Sequence, residues 1–380
     1  MSELSSIPLM DLAAQHEPLR DAIRAAVDRV LDTQQFIMGP ELEQLETELA
    51  AYLEVEHVIG VSSGTDALLV ALMALQLEPG DEVITSPFTF FATAGSIHRA
   101  GATAVFVDIR PDTFNIDIEQ VEAAITSRTR AIMPVHIFGQ CADMRGLEKI
   151  AKKHDLRLIE DAAQAIGARH HGVRAGRLGD LGCFSFHPTK NLGAGGDAGL
   201  VTSQDGALAE RVRLLRKHGA EQKYHHQLVG GNFRLDAIQA AILRAKLPAL
   251  DGWNAARRQH AARYDELLAQ CPVMTPRIRE DNESVFQQYT IRVDGEDGGP
   301  QRRDALRAKL ADLGVGSNIY YPTPLHLQPC FAHLGHVAGS LPEAERAAHS
   351  VLSLPVHPAL GLEGVDEVVR RLRIALDSVD

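Results

Sequence analysis

A lysine and an aspartate, each placed where an apolar strand would end, are the residues best suited to chemistry. Lys190 lies in FSFHPTKNLGAGGDAGL, between an apolar run and a glycine-rich turn, and Asp161 ends the apolar run of LRLIEDAAQAIG. A lysine amine can form a Schiff base with an aldehyde, and a buried carboxylate can keep a heteroaromatic ring nitrogen protonated. Together they meet the needs of pyridoxal 5'-phosphate (PLP), although a lysine after a strand is more often a solvated loop residue.

Two serine-containing segments suit the phosphate of such a cofactor. SSGTDAL, residues 62–68, follows a strand and opens a helix, so the N–H groups of Gly64 and Thr65 would face an anion. The alternative for this segment is a plain helix cap. Ser185 stands between two phenylalanines of the strand before Lys190, where it is either satisfied by the backbone or a phosphate ligand. The glycines after Lys190 lack the GxxxxGK[ST] order and are interpreted as turn residues.

Aromatic and amide side chains are placed to contact a flat ring. TFFAT, residues 89–93, brings Phe90 and Phe91 to the end of another strand, and helical spacing lets only one of them face the site. Gln164 follows Asp161 at i,i+3, so at a strand–helix junction both could address one ligand, with Gln164 at the ring hydroxyl. The alternatives are a helix-capping role for Asp161 and an exposed helix face for Gln164.

Two later segments contain further candidate residues. GGNFRLDAIQAA places Asn232 and Arg234 just ahead of an apolar helix, and in isolation this segment is a loop followed by a helix start; Arg234 is a candidate substrate contact. NIYYPTPLHLQ groups Tyr320, Tyr321 and His326 around prolines, and such aromatic and hydrogen-bonding groups suit a sugar or a nucleotide. The alternative for this second segment is a proline-stiffened surface loop.

The elements that would position these residues alternate between strand and helix. After helical patterns at residues 17–32 and 40–54, apolar strand-length runs alternate with helices up to ALAERVRLLRKHG. This rhythm predicts an α/β fold in which helices cover both faces of a mostly parallel sheet. From residue 235 a long helix, interrupted at Pro248 and Gly252, leads to a second unit with strands VFQQYTIRV and SNIYYP, the loop DGEDGGP, and two helices. We therefore expect a large domain over residues 1–250 and a small α/β domain over residues 251–380.

Composition excludes several other classes of protein. Charged residues make up 23% of the 380 residues and the net charge is −12, with no basic cluster of the kind that binds nucleic acid. The four cysteines are widely separated, which predicts neither a metal site nor a disulfide framework. The amino-terminal segment MSELSSIPLMDLAAQHEPL lacks an apolar core of signal-peptide length, and no apolar run has the length of a membrane span, so we expect a cytoplasmic protein.

Taken together, these segments resemble the DegT/DnrJ/EryC1/StrS family of PLP-dependent sugar aminotransferases, which have fold type I of the PLP-dependent transferases. The resemblance runs over essentially the whole chain. It rests on ordered segments that include IPLMDLAAQ, FIMGPELEQLETELAAYL, SSGTDALLVAL, PGDEVITSPFTFFATA, GATAVFVDI, PVHIFGQCADM, IEDAAQAIGA, FSFHPTKNLGAGGDAG, GNFRLDAIQAAIL and YYPTPLHLQ.

The resemblance implies a role for each candidate residue. Lys190 corresponds to the Schiff-base lysine, and Asp161 to the partner of the pyridine nitrogen. Members of the family that dehydrate sugars carry histidine in place of this lysine, so Lys190 favours an aminotransferase. Further cofactor contacts are implied for Gly64, Thr65, Phe90, Gln164 and Ser185. Asn232 corresponds to a phosphate ligand supplied by a neighbouring subunit, which implies a homodimer with shared active sites.

The implied reaction moves an amino group from an amino acid, with glutamate as the expected donor, to a keto sugar linked to a nucleotide. YYPTPLH and KYHHQLVGGNFR resemble members that act on 3-keto sugars, and the products would be amino sugars for a surface polysaccharide or a glycosylated metabolite. A cyclitol ketone is an alternative acceptor within the same family. A regulatory protein without catalysis is the alternative from another class, and the absence of a basic face argues against DNA binding.

Overall fold

The computed structural model describes residues 6–294 and 300–379. Its strands are β1 (His57–Val61), β2 (Glu82–Thr85), β3 (Thr103–Phe106), β4 (Thr129–Met133), β5 (Arg157–Asp161), β6 (Arg169–His170), β7 (Val173–Arg174), β8 (Leu181–Ser185), β9 (Gly199–Ser203), β10 (Ala220–Gln222), β11 (His225–His226), β12 (Asn282–Glu283), β13 (Tyr289–Arg292) and β14 (Val351–Leu354). Its α-helices are α1 (Leu12–His16), α2 (Arg20–Thr33), α3 (Pro40–Leu53), α4 (Gly64–Ala74), α5 (Ala92–Arg99), α6 (Ile118–Val121), α7 (Met144–His154), α8 (Gly206–Arg216), α9 (Ala237–Lys246), α10 (Leu250–Leu268), α11 (Gln301–Asp312), α12 (Pro342–Ser350) and α13 (Gly361–Leu376).

A central sheet of seven described strands organises the first two thirds of the chain, in the order β1-β9-β8-β5-β4-β2-β3. Strands β8, β5, β4, β2 and β3 pair in parallel, whereas β9 pairs antiparallel with both β8 and β1. Strand β9 runs antiparallel to β8 because the loop that carries Lys190 reverses the direction of the chain between them. The predicted α/β fold with a mostly parallel, helix-covered sheet is confirmed.

Burial on both faces of the sheet explains the apolar strand sequences. All four residues of β2 and all five of β9 are buried. Helix α4 packs between strands and neighbouring helices, and seven of its eleven residues are buried. Such continuous burial removes the alternation that a half-exposed strand would have. Because β8, β5, β4, β2 and β3 run parallel, their carboxyl ends meet at one edge of this buried sheet.

A second apolar core lies in the last third of the chain. It joins α10, α11 and α13 to the antiparallel pair β13–β14, and the rings of Tyr264 and Tyr289 stack within it at 4.6 Å. Ile7 also packs there and pairs through its backbone with Val315. Leu325 and Phe331, in contrast, belong to the core of the central sheet. We propose the domain division near residue 250 on the basis of this second core.

Several element boundaries differ from those that the sequence predicts. The long helix breaks at Pro248 into α9, a short 3₁₀ turn and α10, but Gly252 lies inside α10. The segment SNIYYP is not a strand, because only Asn318 pairs, with Ser353. Helix α12 and strand β14 were not predicted, and in the loop DGEDGGP residues 295–299 lie outside the described residues.

An ion pair between the buried Arg216 and the partly buried Glu46 ties α3, β1 and α8 together. Glu46 Oε1 accepts hydrogen bonds from Arg216 Nη1 (2.5 Å) and from the N–H of Gly60 (2.8 Å). Arg216 is buried and donates a further bond to the Gly60 carbonyl at 2.9 Å. The pair therefore holds two helices against the strand that leads to α4.

We expect Glu46→Ala to lower the free energy of unfolding by about 3–5 kcal/mol, because it leaves the Arg216 charge buried without its partner. The urea midpoint of unfolding measures the change. Glu148→Ala, which removes an exposed pair with Lys152, is the control and should change stability by about 0.5 kcal/mol or less. Equal changes in the free energy of unfolding for the two substitutions would show that the Glu46–Arg216 pair does not stabilise the fold more than an exposed pair does.

Candidate active site

A cavity of about 410 Å³ opens at the carboxyl ends of the central strands. Its wall contains nine residues that the sequence singles out, namely Gly64, Thr65, Phe90, Asp161, Gln164, Ser185, Lys190, Tyr320 and Tyr321. It also contains residues that sequence reasoning did not single out, namely Ser63, Leu68, Thr89, Ala92, Thr93, Val135, Ala163, His187, Thr189, Asp197, Gln287 and Gln288. Its size falls within the range of small-molecule and cofactor sites.

Lys190 reaches the cavity from the loop between β8 and β9. The loop closes through the backbone bond from Ala194 N–H to Phe186 O, and Lys190 N–H donates to His187 O, both at 2.8 Å. Burial lowers the pKa of the Lys190 amine to about 8, while the nearby Asp161 charge acts in the opposite direction. A lysine with this pKa has a substantial neutral fraction near pH 8, which is the form that attacks a carbonyl.

Asp161 ends β5, next to β8 in the sheet, and its carboxylate is buried in the cavity wall. Oδ2 accepts a hydrogen bond from Thr93 Oγ1 at 2.7 Å, and Oδ1 accepts one from the N–H of Ala163 at 3.3 Å. Burial raises the pKa of this carboxyl, and the two hydrogen bonds partly offset the rise. Residues 162–168 form turns rather than the expected helix, so Asp161 does not cap a helix.

Gln164 is fixed by bonds at both ends of its amide. Oε1 accepts a hydrogen bond from the N–H of Phe138 at 2.7 Å, and Nε2 donates to the hydroxyl of Tyr321 at 3.0 Å. The side chain is buried, which differs from the exposed helix position that is its alternative interpretation. Gln164 and Tyr321 therefore form one hydrogen-bonded pair on the wall that also contains Asp161.

The amino-terminal end of α4 forms the other end of the cavity. Ser63 caps the helix, with Oγ accepting from the N–H of Asp66 at 3.0 Å, so capping and anion binding are compatible here. A Cβ on Gly64 would lie 2.5 Å from the Ser185 Cβ, and a Cβ on Gly199 would lie 2.3 Å from Ser63 O. Both glycines thus allow β8 and β9 to approach the helix end. Ser63, Gly64, Thr65 and Ser185 line the cavity there, and the amino terminus of a helix favours an anion.

The two phenylalanines of TFFAT have different surroundings. Phe90 lines the cavity, and its ring centroid lies 6.4 Å from that of Tyr321. Phe91 packs against Phe331 at 5.7 Å and does not belong to the cavity wall. Of the pair, Phe90 is the ring available to a planar ligand.

Three predicted site residues lie away from the cavity in this chain. Asn232 is exposed and pairs through its backbone with Lys217, and Arg234 pairs with Val61. His326 is buried, and its Nε2 lies 3.0 Å from Glu345 Oε1. His326 thus packs against α12 instead of facing the cavity, and its role in substrate binding has no geometric support.

Thr93 is the clearest contact that sequence reasoning missed. Because its hydroxyl donates to the Asp161 carboxylate, the hydroxyl of Thr89, 3.0 Å away, donates to Thr93 in turn. The sequence signal for this contact is the TFFAT segment, in which Thr89 and Thr93 stand four positions apart on either side of the phenylalanines. The relay stabilises the ionised carboxylate in a buried position.

The donor set fits PLP. A partly neutral lysine amine, a buried carboxylate, an exposed aromatic ring and a helix amino terminus surround one cavity. These groups suit, respectively, the aldehyde, the ring nitrogen, the ring face and the phosphate of that cofactor.

Comparison with known proteins agrees with this geometry. The sequence model of the DegT/DnrJ/EryC1/StrS aminotransferase family matches residues 18–373. The chain is 45% identical to UDP-N-acetyl-3-dehydro-α-D-glucosamine 3-aminotransferase of Acidithiobacillus ferrooxidans, over 99% of this chain and 100% of that protein. It is 50% identical to a pleiotropic regulatory protein of Geobacillus stearothermophilus, over 97% and 98% of the two chains. The crystal structure of DesV from Streptomyces venezuelae, 44% identical, superposes with a TM-score of 0.94 over 99% and 100% of the two chains.

The fold and the site define a PLP-dependent transferase of fold type I. The chain belongs to the DegT/DnrJ/EryC1/StrS aminotransferase family. Its cofactor is PLP, and solved structures of family members hold PLP or its amino form. Among the described residues, no helix has the length and hydrophobicity needed to cross a membrane.

We expect Thr93→Val to reduce kcat/KM about tenfold to a hundredfold, since it removes a hydrogen bond to a buried carboxylate. That bond lowers the Asp161 pKa, so its loss raises the pKa further. The carboxylate is then protonated at higher pH, and the acid limb of the pH–rate profile should move to higher pH. Thr47→Val, on an exposed helix surface, is the control. An unmoved acid limb would show that Thr93 does not tune Asp161.

Proposed function

We propose that this protein transfers an amino group from glutamate to a keto sugar linked to a nucleoside diphosphate, in the biosynthesis of an amino sugar. The observation that carries the proposal is the convergence of Lys190, Asp161 and the α4 amino terminus on one cavity. Relatives named as nucleotide-sugar aminotransferases support the acceptor class, at 44–45% identity over nearly the full chain.

Bound PLP would supply the aldehyde that receives the amino group and a ring that accepts electrons from the substrate carbon. We assign to Lys190 the attachment of the cofactor and then the transfer of the proton from the donor Cα, through its Nζ. Asp161 would stabilise the protonated ring nitrogen, with Thr93 holding the carboxylate in place. Gln164 and Phe90 would position the ring, and Gly64, Thr65 and Ser185 would bind the phosphate.

We favour a 3-keto sugar as the acceptor. Relatives named for amino transfer at the sugar 3-position include proteins that act on UDP-linked and dTDP-linked substrates. In this chain Tyr320 and Tyr321 line the cavity beside Gln164, where hydroxyl and ring groups could contact a sugar. Turnover of UDP-linked and dTDP-linked sugars with the keto group at different positions tests both the nucleotide and the keto position.

We further propose a homodimer whose subunits share each active site. Of the described residues that line the cavity, Lys190 is the one lysine or arginine, yet the acceptor carries a diphosphate. The segment before α9 projects Tyr224 and Val229, which are 83% and 91% exposed, and such apolar exposure is typical of an interface. We place Asn232 and Arg234 of this segment in the active site of the partner subunit.

Two alternatives remain distinguishable. A cyclitol ketone would use the same cofactor chemistry, and turnover separates it from a keto sugar. The relative named as a regulatory protein favours a non-catalytic role, but the chain retains an amine, a carboxylate and a cavity suited to PLP. We place the protein in the cytoplasm, because all four cysteines are free thiols.

The proposal predicts that the purified protein has a visible absorbance band that shifts when glutamate is added, and that it aminates one or more nucleotide-linked keto sugars from a panel. Lys190→Ala should lose multiple turnover, since no other amine would serve as attachment point and proton carrier. Borohydride reduction followed by peptide mass mapping identifies the labelled lysine. A pyridoxyl group on any other lysine would overturn the role assigned to Lys190. Turnover of cyclitol ketones alone would overturn the proposal that the acceptor is a keto sugar.

Mixed dimers test the shared site. Lys190→Ala and Asn232→Asp chains should each be poor catalysts, the second because a carboxylate repels phosphate. A heterodimer would contain one site with both residues intact and one with both altered, so activity should return to about half that of the wild type. Heterodimers that stay as inactive as the weaker parent would refute a site shared between subunits.

A further inference from the structure

The side-chain amide of Gln287 contacts the backbone on both sides of Lys190, the residue on which the proposed function depends. Gln287 is buried just before β13, in the last third of the chain. Its Nε2 donates to the carbonyl of Thr189 at 3.0 Å, and its Oε1 accepts from the N–H of Asn191 at 3.1 Å. One amide group therefore holds the peptide units on both sides of Lys190.

Gln287 is itself anchored from two directions. Its N–H donates to Phe138 O at 3.1 Å, and Arg257 Nη1 lies 3.4 Å from its carbonyl. A Cβ on Gly139 would lie only 2.9 Å from the Gln287 nitrogen, and Gly139 has a φ of +92°, which favours glycine. The glycine thus allows the segment to pack directly against the loop after β4. The backbone of Gln287 is therefore held in place by hydrogen bonds, and its side-chain amide extends from there to the residues on either side of Lys190.

A second contact between the same two segments reinforces the first. Asn191 Nδ2 donates to Val285 O at 2.9 Å and to Asn254 Oδ1 at 2.7 Å. The backbone on either side of Lys190 is thus held by residues that lie far away in the sequence. Lys190 lines the cavity, while hydrogen bonds hold the backbone on both sides of it.

We propose that Gln287 is a positioning residue that orients Lys190 by bonding the backbone on both sides of it. The inference rests on the proposed role of Lys190 and adds a residue to that site. The amide matches its partners in only one orientation, with a donor toward a carbonyl and an acceptor toward an N–H. A residue that merely filled space would need neither group.

The test compares Gln287→Met, which keeps the volume but removes both hydrogen bonds, with Gln120→Met, an exposed control. We expect Gln287→Met to lower kcat about tenfold to a hundredfold with both KM values within about twofold of wild type, as two lost hydrogen bonds would predict. The rate at which cofactor-free protein takes up PLP at Lys190, trapped with borohydride and mapped by mass, should fall by a similar factor. Gln120→Met should match the wild type in each measurement.

Gln287→Glu separates positioning from loss of stability. An ionised carboxylate would repel Thr189 O, whereas a protonated carboxyl can donate to it and still accept from Asn191 N–H. The trapping rate relative to wild type should therefore recover as the pH falls from about 8 to about 6, while the ratio for Gln287→Met stays constant.

Wild-type trapping and turnover in Gln287→Met would overturn the inference. So would a Gln287→Glu protein whose relative trapping rate does not rise at lower pH, even where Gln287→Met folds poorly. Labelling of a different lysine in the wild type would instead overturn the proposed function, so the two failures are distinguishable.

Discussion

The parallel pairing of β5 with β8 is the constraint on which the site depends. Asp161 faces Cys183 across this pair, so the chain must leave both strands at the same edge of the sheet. One strand end presents the carboxylate, and the other leads into the loop that presents Lys190. The reversal into β9 then brings Gly199 against Ser63, at the amino terminus of α4. The positions of Asp161, of the loop that carries Lys190 and of the α4 amino terminus relative to one another consequently follow from the pairing of strands.

Burial then acts in opposite senses on the two charged groups. It lowers the pKa of the Lys190 amine to about 8 and raises the pKa of the Asp161 carboxyl, because a dry environment disfavours either charge. The carboxylate receives hydrogen bonds from Thr93 and Ala163 that partly restore its ionised form. For the Lys190 amine, the nearby Asp161 charge opposes burial, but burial is the larger effect and the pKa stays lowered. The neutral amine is the form that nucleophilic attack requires. The same cavity thus favours a neutral amine and supports an ionised carboxylate.

The sequence was sufficient for the fold class and for the residues at strand ends, because hydrophobic periodicity and strand-to-helix junctions are local signals. The prediction of a helix after Asp161 was wrong, because residues 162–168 form turns. There the buried contacts of Gln164 with Phe138 and Tyr321 replace the bonds of a helix. It also placed His326 near the substrate, whereas the ring packs against Glu345, a residue on a helix that the sequence did not predict.

The contacts that could not be predicted are those between distant segments. Thr93 reaches Asp161 over 68 positions, and Gln287 reaches Thr189 over 98. No local pattern reports such pairs, since they arise only when the sheet has assembled and the last third of the chain has packed against it. The candidate reactive residues are therefore recognisable from local sequence, while their orientation depends on the completed tertiary structure. This division explains why a motif can identify Lys190 and yet give no information about what holds it in place.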